Sequence, residues 1–329
     1  MNRVLIPQQI TPSAASARGD ACELRGRTMG TDWRVRLCSD LPPQSWLRQD
    51  LQQTLDRLDA QMSHWAPDSD LGIFNRRPAG TWQPIPAAFF DVLRSALDAA
   101  RRSNGACDPT VGALVNLWGF GPAGKRNAPP CDADIERARA RCGWQRLEID
   151  EANHRVLQPG GIELDLSCIA KGYAVDVVAE RLLALGLEHF LVEIGGELRG
   201  GGWNTDGSPW WGELENPDGS GERTLVALHG LSVATSGDYR QFFEHQGARY
   251  AHTLDPRTGR PVAHAPASVS VMHPSCAQAD VLATVLSVLG VEAGIAYADA
   301  LELAALFVSR DPAGRMTERV SRAASAMLE

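Results

Sequence analysis

Two hydrophobic periods succeed each other irregularly along this chain, and that succession limits the folds it can adopt. In "TDWRVRLCS", residues 31–39, Trp33, Val35 and Leu37 alternate with Asp32, Arg34 and Arg36. This is the two-residue period of a strand with one buried face. Leu47, Leu51, Leu55, Leu58 and Met62 then recur at steps of three or four, which predicts an amphipathic helix beginning near Ser45. A second helix is expected from about Pro86 to Ser103, with Phe89, Val92, Leu93, Ala96, Leu97 and Ala100 inward and Gly105 as its stop. A short helix over 132–141 precedes "GWQRLEID" and "HRVLQPG", which read as a hairpin. The next unit reads as strand, turn, helix, strand: "IELDLS", then "CIAKGYAVDVVAERLLALG" ending at Gly186, then "HFLVEI" broken by Gly195-Gly196. Residues 203–275 are strand-rich. A helix in "CAQADVLATVLSVLG" (276–290), a helix near 292–303 and a last strand "AALFVS" follow. Many successive strands read as antiparallel, so the expected class is α+β, with mixed, largely antiparallel sheets packed against helices. No repeat or linker divides the chain. A single domain over 23–329 is expected behind an Ala/Ser/Pro/Gln-rich disordered lead-in over 1–22.

Composition excludes several classes of function. The 329 residues are 44% apolar and 22% charged, with 40 acidic against 32 basic residues and a net charge of −8. No Lys/Arg run exceeds a pair such as Arg101-Arg102, which argues against a nucleic-acid face. Seven cysteines form no CxxC pair, and their odd number argues against a complete disulfide framework. Separate reduced thiols in a cytosolic enzyme are the expectation. The eight histidines are scattered and none forms HExxH. The apolar run Val4 to Pro7 is too short for a signal peptide, and no apolar window long enough for a transmembrane helix is seen. A cytoplasmic location is expected; a periplasmic one would follow if a leader had been removed from the given N-terminus.

Four segments carry residue types that packing alone does not require. In "NGACDPTVGALVNLWGFGP" (104–122), Asp108-Pro109-Thr110 with Gly112 is turn chemistry, able either to cap a short helix or to set Asp108 at the rim of a ligand slot. In "DLSCIAKGYAVD" (165–176), unpaired N–H groups at a strand-to-helix corner would suit a phosphate beside Lys171. The alternative is a plain corner. In "RYAHTLDPRTGRP" (249–261), His252 precedes a turn, either as a surface or core histidine or as a catalyst at a loop mouth. In the helix of 276–290, Asp280 and Thr284 share one face. Asp280 in a first turn is explained by the helix dipole and Thr284 by back-bonding to a carbonyl. A magnesium ion would want the same oxygen donors.

Taken together, "TMGTDW", "MSHWAPDSDLGIFN", "GACDPTVGALVNLWGFG", "DLSCIAKGYAVDVVAERL", "LVEIGGELRGGG", "VATSGDYRQFF", "HTLDPRTGRPV" and "QADVLATVLSVLG" resemble, in order, the motifs of the ApbE family of FAD:protein FMN transferases, over about 25–310. The resemblance implies an ApbE-like domain that binds FAD, with Mg2+ (Mn2+ being the alternative) at its pyrophosphate. The implied metal ligands are the carbonyl of Ala170, the carboxylate of Asp280 and the hydroxyl of Thr284. Implied flavin-pocket positions are Met29, Trp65, Ala106, Cys107, Asp108, Ser167, Lys171 or Tyr173, and Leu254, with Asp165 ordering its segment. His252 is the candidate proton acceptor. The implied partners are FAD and an acceptor flavoprotein with Asp, then Gly or Ser, any residue, then Ser or Thr. FMN would pass to that hydroxyl with release of AMP. A pyrophosphatase giving FMN and AMP, and a non-catalytic FAD-binding protein, are the alternatives. The chain does not read as its own acceptor, because Pro209 and Gly221 stand three residues after Asp206 and Asp218. Ser167-Cys168 and Cys107 depart from the family's usual glycines and aromatic.

Overall fold

The computed structural model describes residues 3–8, 10, 19–39, 45–214, 216, 217, 219, 224–263, 266–311 and 313–328. Its centre is an eight-stranded sheet. Across the sheet lie Met316–Val320, Ala304–Arg310, Ser268–His273, Leu231–Gly237, Glu197–Gly201, Phe190–Ile194, Thr31–Ser39 and Asp20–Thr28, and every neighbouring pair is antiparallel. The α+β class therefore holds, and the alternation read in residues 31–39 is real: Trp33, Val35 and Leu37 are buried and their charged neighbours are exposed.

Strand parity sorts the side chains into two cores. Trp33, Val35, Phe190, Val192 and Ile194 face a helical layer that includes Ser45–Met62, Ala87–Arg102, Ala170–Ala184 and Cys276–Ala300. Leu191, Val233, Met272, Leu306 and Val308 face the other way, onto a three-stranded sheet of Arg3–Leu5, Thr224–Leu228 and Trp210–Leu214. Another three-stranded sheet, Thr81–Pro84, Arg155–Gln158 and Glu148–Asp150, confirms the expected hairpin.

Two helices fix the site. Ala170–Ala184 and Cys276–Ala300 pack so closely at their starts that a Cβ on Gly172 would lie 2.4 Å from the Cys276 carbonyl oxygen. The gap lets each helix cap the other. Asp280 accepts the Gly172 N–H at 3.0 Å. Asp176 accepts the N–H groups of Cys276 and Ala277 at 2.9 and 3.0 Å, and the hydroxyl of Ser275. These N–H groups have no partner within their own helix, and each aspartate also meets a helix dipole's positive end.

Several expectations need correction. The lead-in over 1–22 is not wholly without structure: Arg3–Leu5 pairs with Thr224–Leu228, Leu5 is fully buried, and Asp20–Cys22 opens a long strand. Residues 11–18 lie outside the described ones. "IELDLS" alternates because Ile162, Leu164 and Leu166 are buried, yet it forms only an isolated bridge from Glu163 to Val111. Side-chain amides take the place of neighbouring strands: Asn75 bonds both the N–H and the carbonyl of Leu164, and Gln158 does the same for Ile162. The helices placed at 276–290 and 292–303 are two limbs of Cys276–Ala300, joined at a kink where Gly290 takes φ 77°. The strand at 304–310 is not the last, for Met316–Val320 pairs beyond it. Cys276–Ala300 is also long and apolar enough to cross a membrane, contrary to expectation. Here Val281, Val285 and Leu286 are fully buried in the core.

Asp176→Ala removes both the cap and the partner of Arg199, whose Nη1 lies 2.5 Å away. The variant is expected to lose about 3 kcal/mol of stability in urea unfolding. A loss below about 1 kcal/mol would show that the crosswise capping does not hold the helix pair.

Candidate functional site

The loops and helix starts at one end of the main sheet enclose a cavity of about 430 Å³. Three sheet connections open into it: the Met29-Gly30 turn, Gly195 with Glu197, and the strand end Thr235–Gly237. The two capped helices contribute Lys171, Asp280 and Thr284. The remaining wall includes His64 and Trp65, the 106–108 turn, Asp165, Ser167, Cys168, Arg240 and residues 252–254.

Of the residues singled out in the sequence, Met29, Trp65, Ala106, Cys107, Asp108, Asp165, Ser167, Lys171, His252, Leu254, Asp280 and Thr284 all line this cavity. Met29 holds a left-handed φ of 47° in the tight turn between two strands. That conformation is costly for a side chain with a Cβ, so the fold over-determines it there. Trp65 is 60% exposed, an unusual state for so large an apolar ring, and it leaves a broad aromatic surface at the rim. Tyr173 is not among the lining residues and packs against the large core, so of the alternatives Lys171 or Tyr173 only Lys171 reaches the cavity. Ala170 opens its helix beside Lys171 without lining the cavity.

Hydrogen bonding assigns work to most of the polar groups. Asp108 is a turn-former: Oδ1 accepts the Thr110 N–H and hydroxyl at 2.8 and 2.7 Å, and Oδ2 accepts the Trp144 N–H at 3.2 Å. Burial pushes its carboxyl up, against the pull of the Thr110 bonds. Asp165 accepts the Ser167 N–H at 2.8 Å and fixes the corner before the helix. The Ser167 hydroxyl lies 3.4 Å from His64 Nδ1. Of the two readings of this corner, the phosphate cradle loses four of its amides, which are already engaged. Ser167 N–H donates to Asp165, Ile169 and Ala170 to Leu166, and Gly172 to Asp280. Asp280 lies in the second turn, one position past the first, and does not cap its own helix; Ser275 does that.

Charge is concentrated on the inner wall. Lys171 Nζ lies 2.5 Å from Glu197 Oε1, and Glu197 is 2% exposed. Burial pushes the Glu197 carboxyl up to about 7, with Lys171 pulling it back. Desolvation also raises Asp280, opposed by Lys171 and the Gly172 N–H. His252 is half-buried. Desolvation lowers its pKa from the usual 6.5, so the ring is neutral at pH 7. Its Nδ1 lies 3.2 Å from the Gln241 carbonyl, which can only accept. Nδ1 therefore carries the proton and Nε2 keeps its lone pair.

Sequence reasoning missed Glu197, Arg240 and His64 as wall residues. "GGELRGGG" and "VATSGDYRQFF" were legible as motifs, but nothing in their spacing set Glu197 or Arg240 apart as wall residues. Arg240 donates to the Gly195 carbonyl at 2.9 Å, a contact between residues 45 apart.

With the site described, likeness to known proteins is informative. The ApbE family's sequence profile matches residues 29–307. The FAD:protein FMN transferase of Vibrio cholerae is 38% identical over 295 residues, 88% of each chain. That of Haemophilus influenzae is 35% identical over 328 residues, 97% of this chain and 95% of the other. Among solved structures, the apo flavinyl transferase ApbE of Pseudomonas stutzeri superposes with a TM-score of 0.86 at 40% identity, covering 94% of this chain and 96% of that one. The flavin transferase ApbE of Vibrio cholerae gives 0.87 at 35% identity, covering 94% and 100%.

Lys171→Met strands the Glu197 carboxylate. The folded-state pKa of Glu197 then rises further above its unfolded value. The variant's stability is therefore retained at low pH and lost as pH climbs through the folded value. Urea unfolding is expected to show a deficit that grows from pH 5 to pH 8 and reaches roughly 2 kcal/mol. A deficit independent of pH would mean that Glu197 is not the group left unpaired.

Proposed function

The chain belongs to the ApbE family, and we propose that it is an FAD:protein FMN transferase, moving FMN from FAD to a threonine or serine hydroxyl of an acceptor flavoprotein with release of AMP. The observation that carries this reading is the meeting, in one cavity, of Asp280, Thr284 and Lys171 with a neutral His252. These residues come from a sequence span of 114 positions, 171–284, and only the fold unites them.

The donor set suits magnesium. Asp280 supplies a buried carboxylate, Thr284 a hydroxyl one helical turn on, and Ala170 a carbonyl at the start of the adjoining helix. All are hard oxygen donors. Among the described residues no three His, Cys, Asp or Glu side chains form a group that could hold a metal, so a mixed donor set of this kind is the reading that fits. When bound, the ion would neutralise pyrophosphate charge and act as Lewis acid and template.

The protein's own groups account for the rest. Trp65 offers a ring face to the isoalloxazine, and Lys171 brings positive charge to the phosphates. The acceptor hydroxyl oxygen attacks the FMN-side phosphorus and forms the phosphoester bond. The bond from that phosphorus to the bridging oxygen breaks, and AMP leaves with that oxygen. The hydroxyl proton passes to Nε2 of His252, the nitrogen whose lone pair is free. Positioning and charge neutralisation are what phosphoryl transfer chiefly requires.

Incubation with FAD, Mg2+ and a flavoprotein bearing the acceptor motif, followed by intact mass, tests the proposal. The acceptor should gain one FMN phosphoryl group and AMP should appear. Free FMN and AMP with an unmodified acceptor would make the chain a pyrophosphatase, and tight FAD binding without AMP would make it a carrier. Asp280→Asn keeps an acceptor oxygen for Gly172 but removes the charge, and should lower transfer about a hundredfold or more. Normal transfer would sink the metal assignment. Because His252 acts unprotonated, transfer should rise with pH through a value below 6.5 and then level off. His252→Asn should abolish that acid limb and slow turnover at least about a hundredfold, with a smaller effect on FAD affinity. Equal losses in both would leave His252 a binding residue only.

A further inference from the structure

We infer that Cys107 and Cys168 form a reversible disulfide that closes the inner wall of the cavity against FAD. The inference rests on the proposed FAD site for its ligand, and on the thiols' own geometry for the bond. The two sulfurs lie 3.4 Å apart although the residues are 61 positions apart in sequence. Both line the cavity. Among the described residues this is the one pair of thiols at hydrogen-bond distance: Cys38 reaches Asn204, Cys131 Asp134, Cys142 the Ala138 carbonyl and Cys276 the Leu198 carbonyl, and Cys22 acts on Cys38 only through space. All seven cysteines are free thiols, and these two stand in contact.

Both cysteines sit on turns that carry site residues. Cys107 adjoins Asp108, which is tied to Thr110 and Trp144, and its own N–H donates to the Ser103 hydroxyl. Cys168 stands between the Asp165–Ser167 corner and the helix start that bears Lys171. A disulfide is about 2.05 Å long, so closing it brings the two sulfurs together by more than about an ångström and ties the two turns covalently across the cavity wall. The oxidant is a disulfide of the small-thiol class, reaching Cys168 through the cavity, because Cys168 is half-buried and Cys107 only 3% exposed. The Cys168 sulfur attacks one sulfur of the donor, whose other half leaves as a thiol with the first proton. The Cys107 sulfur then attacks Cys168, forms the intramolecular bond and expels the second half as a thiol with the second proton. The protein loses two electrons and two protons, and the donor gains them. Bound FAD covers the same wall, so FAD and the disulfide oppose each other reciprocally.

The test uses the whole chain treated with glutathione disulfide, with and without saturating FAD, and then with dithiothreitol. Peptide mapping should find the 107–168 bond, formed more slowly under FAD and reversed by dithiothreitol. The oxidised protein should bind FAD at least about tenfold more weakly than the reduced protein. Cys107→Ser and Cys168→Ser, each compared with its own untreated form, should show no response of FAD affinity to the oxidant. Unpaired thiols at 107 and 168, a bond to other cysteines, or unchanged FAD affinity after the bond has formed would each overturn the inference. Reduced protein that binds no FAD would overturn the transferase reading and the ligand named here, whereas the peptide map judges the bond by itself.

Discussion

The crosswise capping of two helix starts is the constraint on which the site depends. Each helix brings an aspartate to the other's free N–H groups, and the absence of a side chain on Gly172 gives them the clearance to do so. A buried aspartate needs partners for its charge, and a buried helix start needs acceptors for its amides. One contact answers both needs. Because the aspartates and the amides lie on different helices, the two axes are locked in mutual register. Lys171, Asp280 and Thr284 inherit their relative places from that lock.

The eight-stranded sheet supplies the other half of the frame. Its strands are far apart in sequence, with Thr31–Ser39 pairing with Phe190–Ile194 across a long insertion of helices and one small sheet. Antiparallel neighbours connect by turns, and the turns at one end of the sheet are those of Met29-Gly30 and Gly195-Gly196. The same end receives both helix starts. The cavity is thus where backbone changes direction, while the strands behind it are held by buried apolar faces on both sides. Lys171, Asp280 and Thr284 stand on helices, and irregular backbone, with His252 on it, shapes the opening.

Local periodicity revealed burial more faithfully than partnership. The helix Ser45–Met62 and the strand Thr31–Ser39 were legible because their apolar spacing is set by their own geometry. "IELDLS" has the spacing of a strand and the burial of one, but Asn75 and Gln158 satisfy its backbone, and nothing local announces them. Asp280 illustrates the same limit. Its position suggested a carboxylate meeting the dipole of its own helix, and the structure makes it a cap on another. Glu197 and the Cys107–Cys168 contact are likewise products of distant segments meeting, which no single window contains. The site residues were legible only through eight ordered motifs, whose order encodes those meetings without describing them.

The amide economy at the helix corner bears on how an acidic chain would hold a pyrophosphate. A helix start with free N–H groups is the usual anion site. Here the amides of Ser167, Ile169, Ala170 and Gly172 are all engaged by protein oxygens. The chain carries a net charge of −8, and the inner wall adds Asp280 and Glu197. Lys171 is already shared with Glu197, so it and Arg240 cannot by themselves balance two carboxylates and a diphosphate. A divalent cation on the Asp280 side, as proposed above, would change that balance. It would hold the carboxylate ionised against the desolvation that raises its pKa, and would leave Lys171 to the phosphates. The crosswise cap therefore takes the Gly172 amide out of anion recognition, and the carboxylate it places there would favour the cation-mediated mode proposed above.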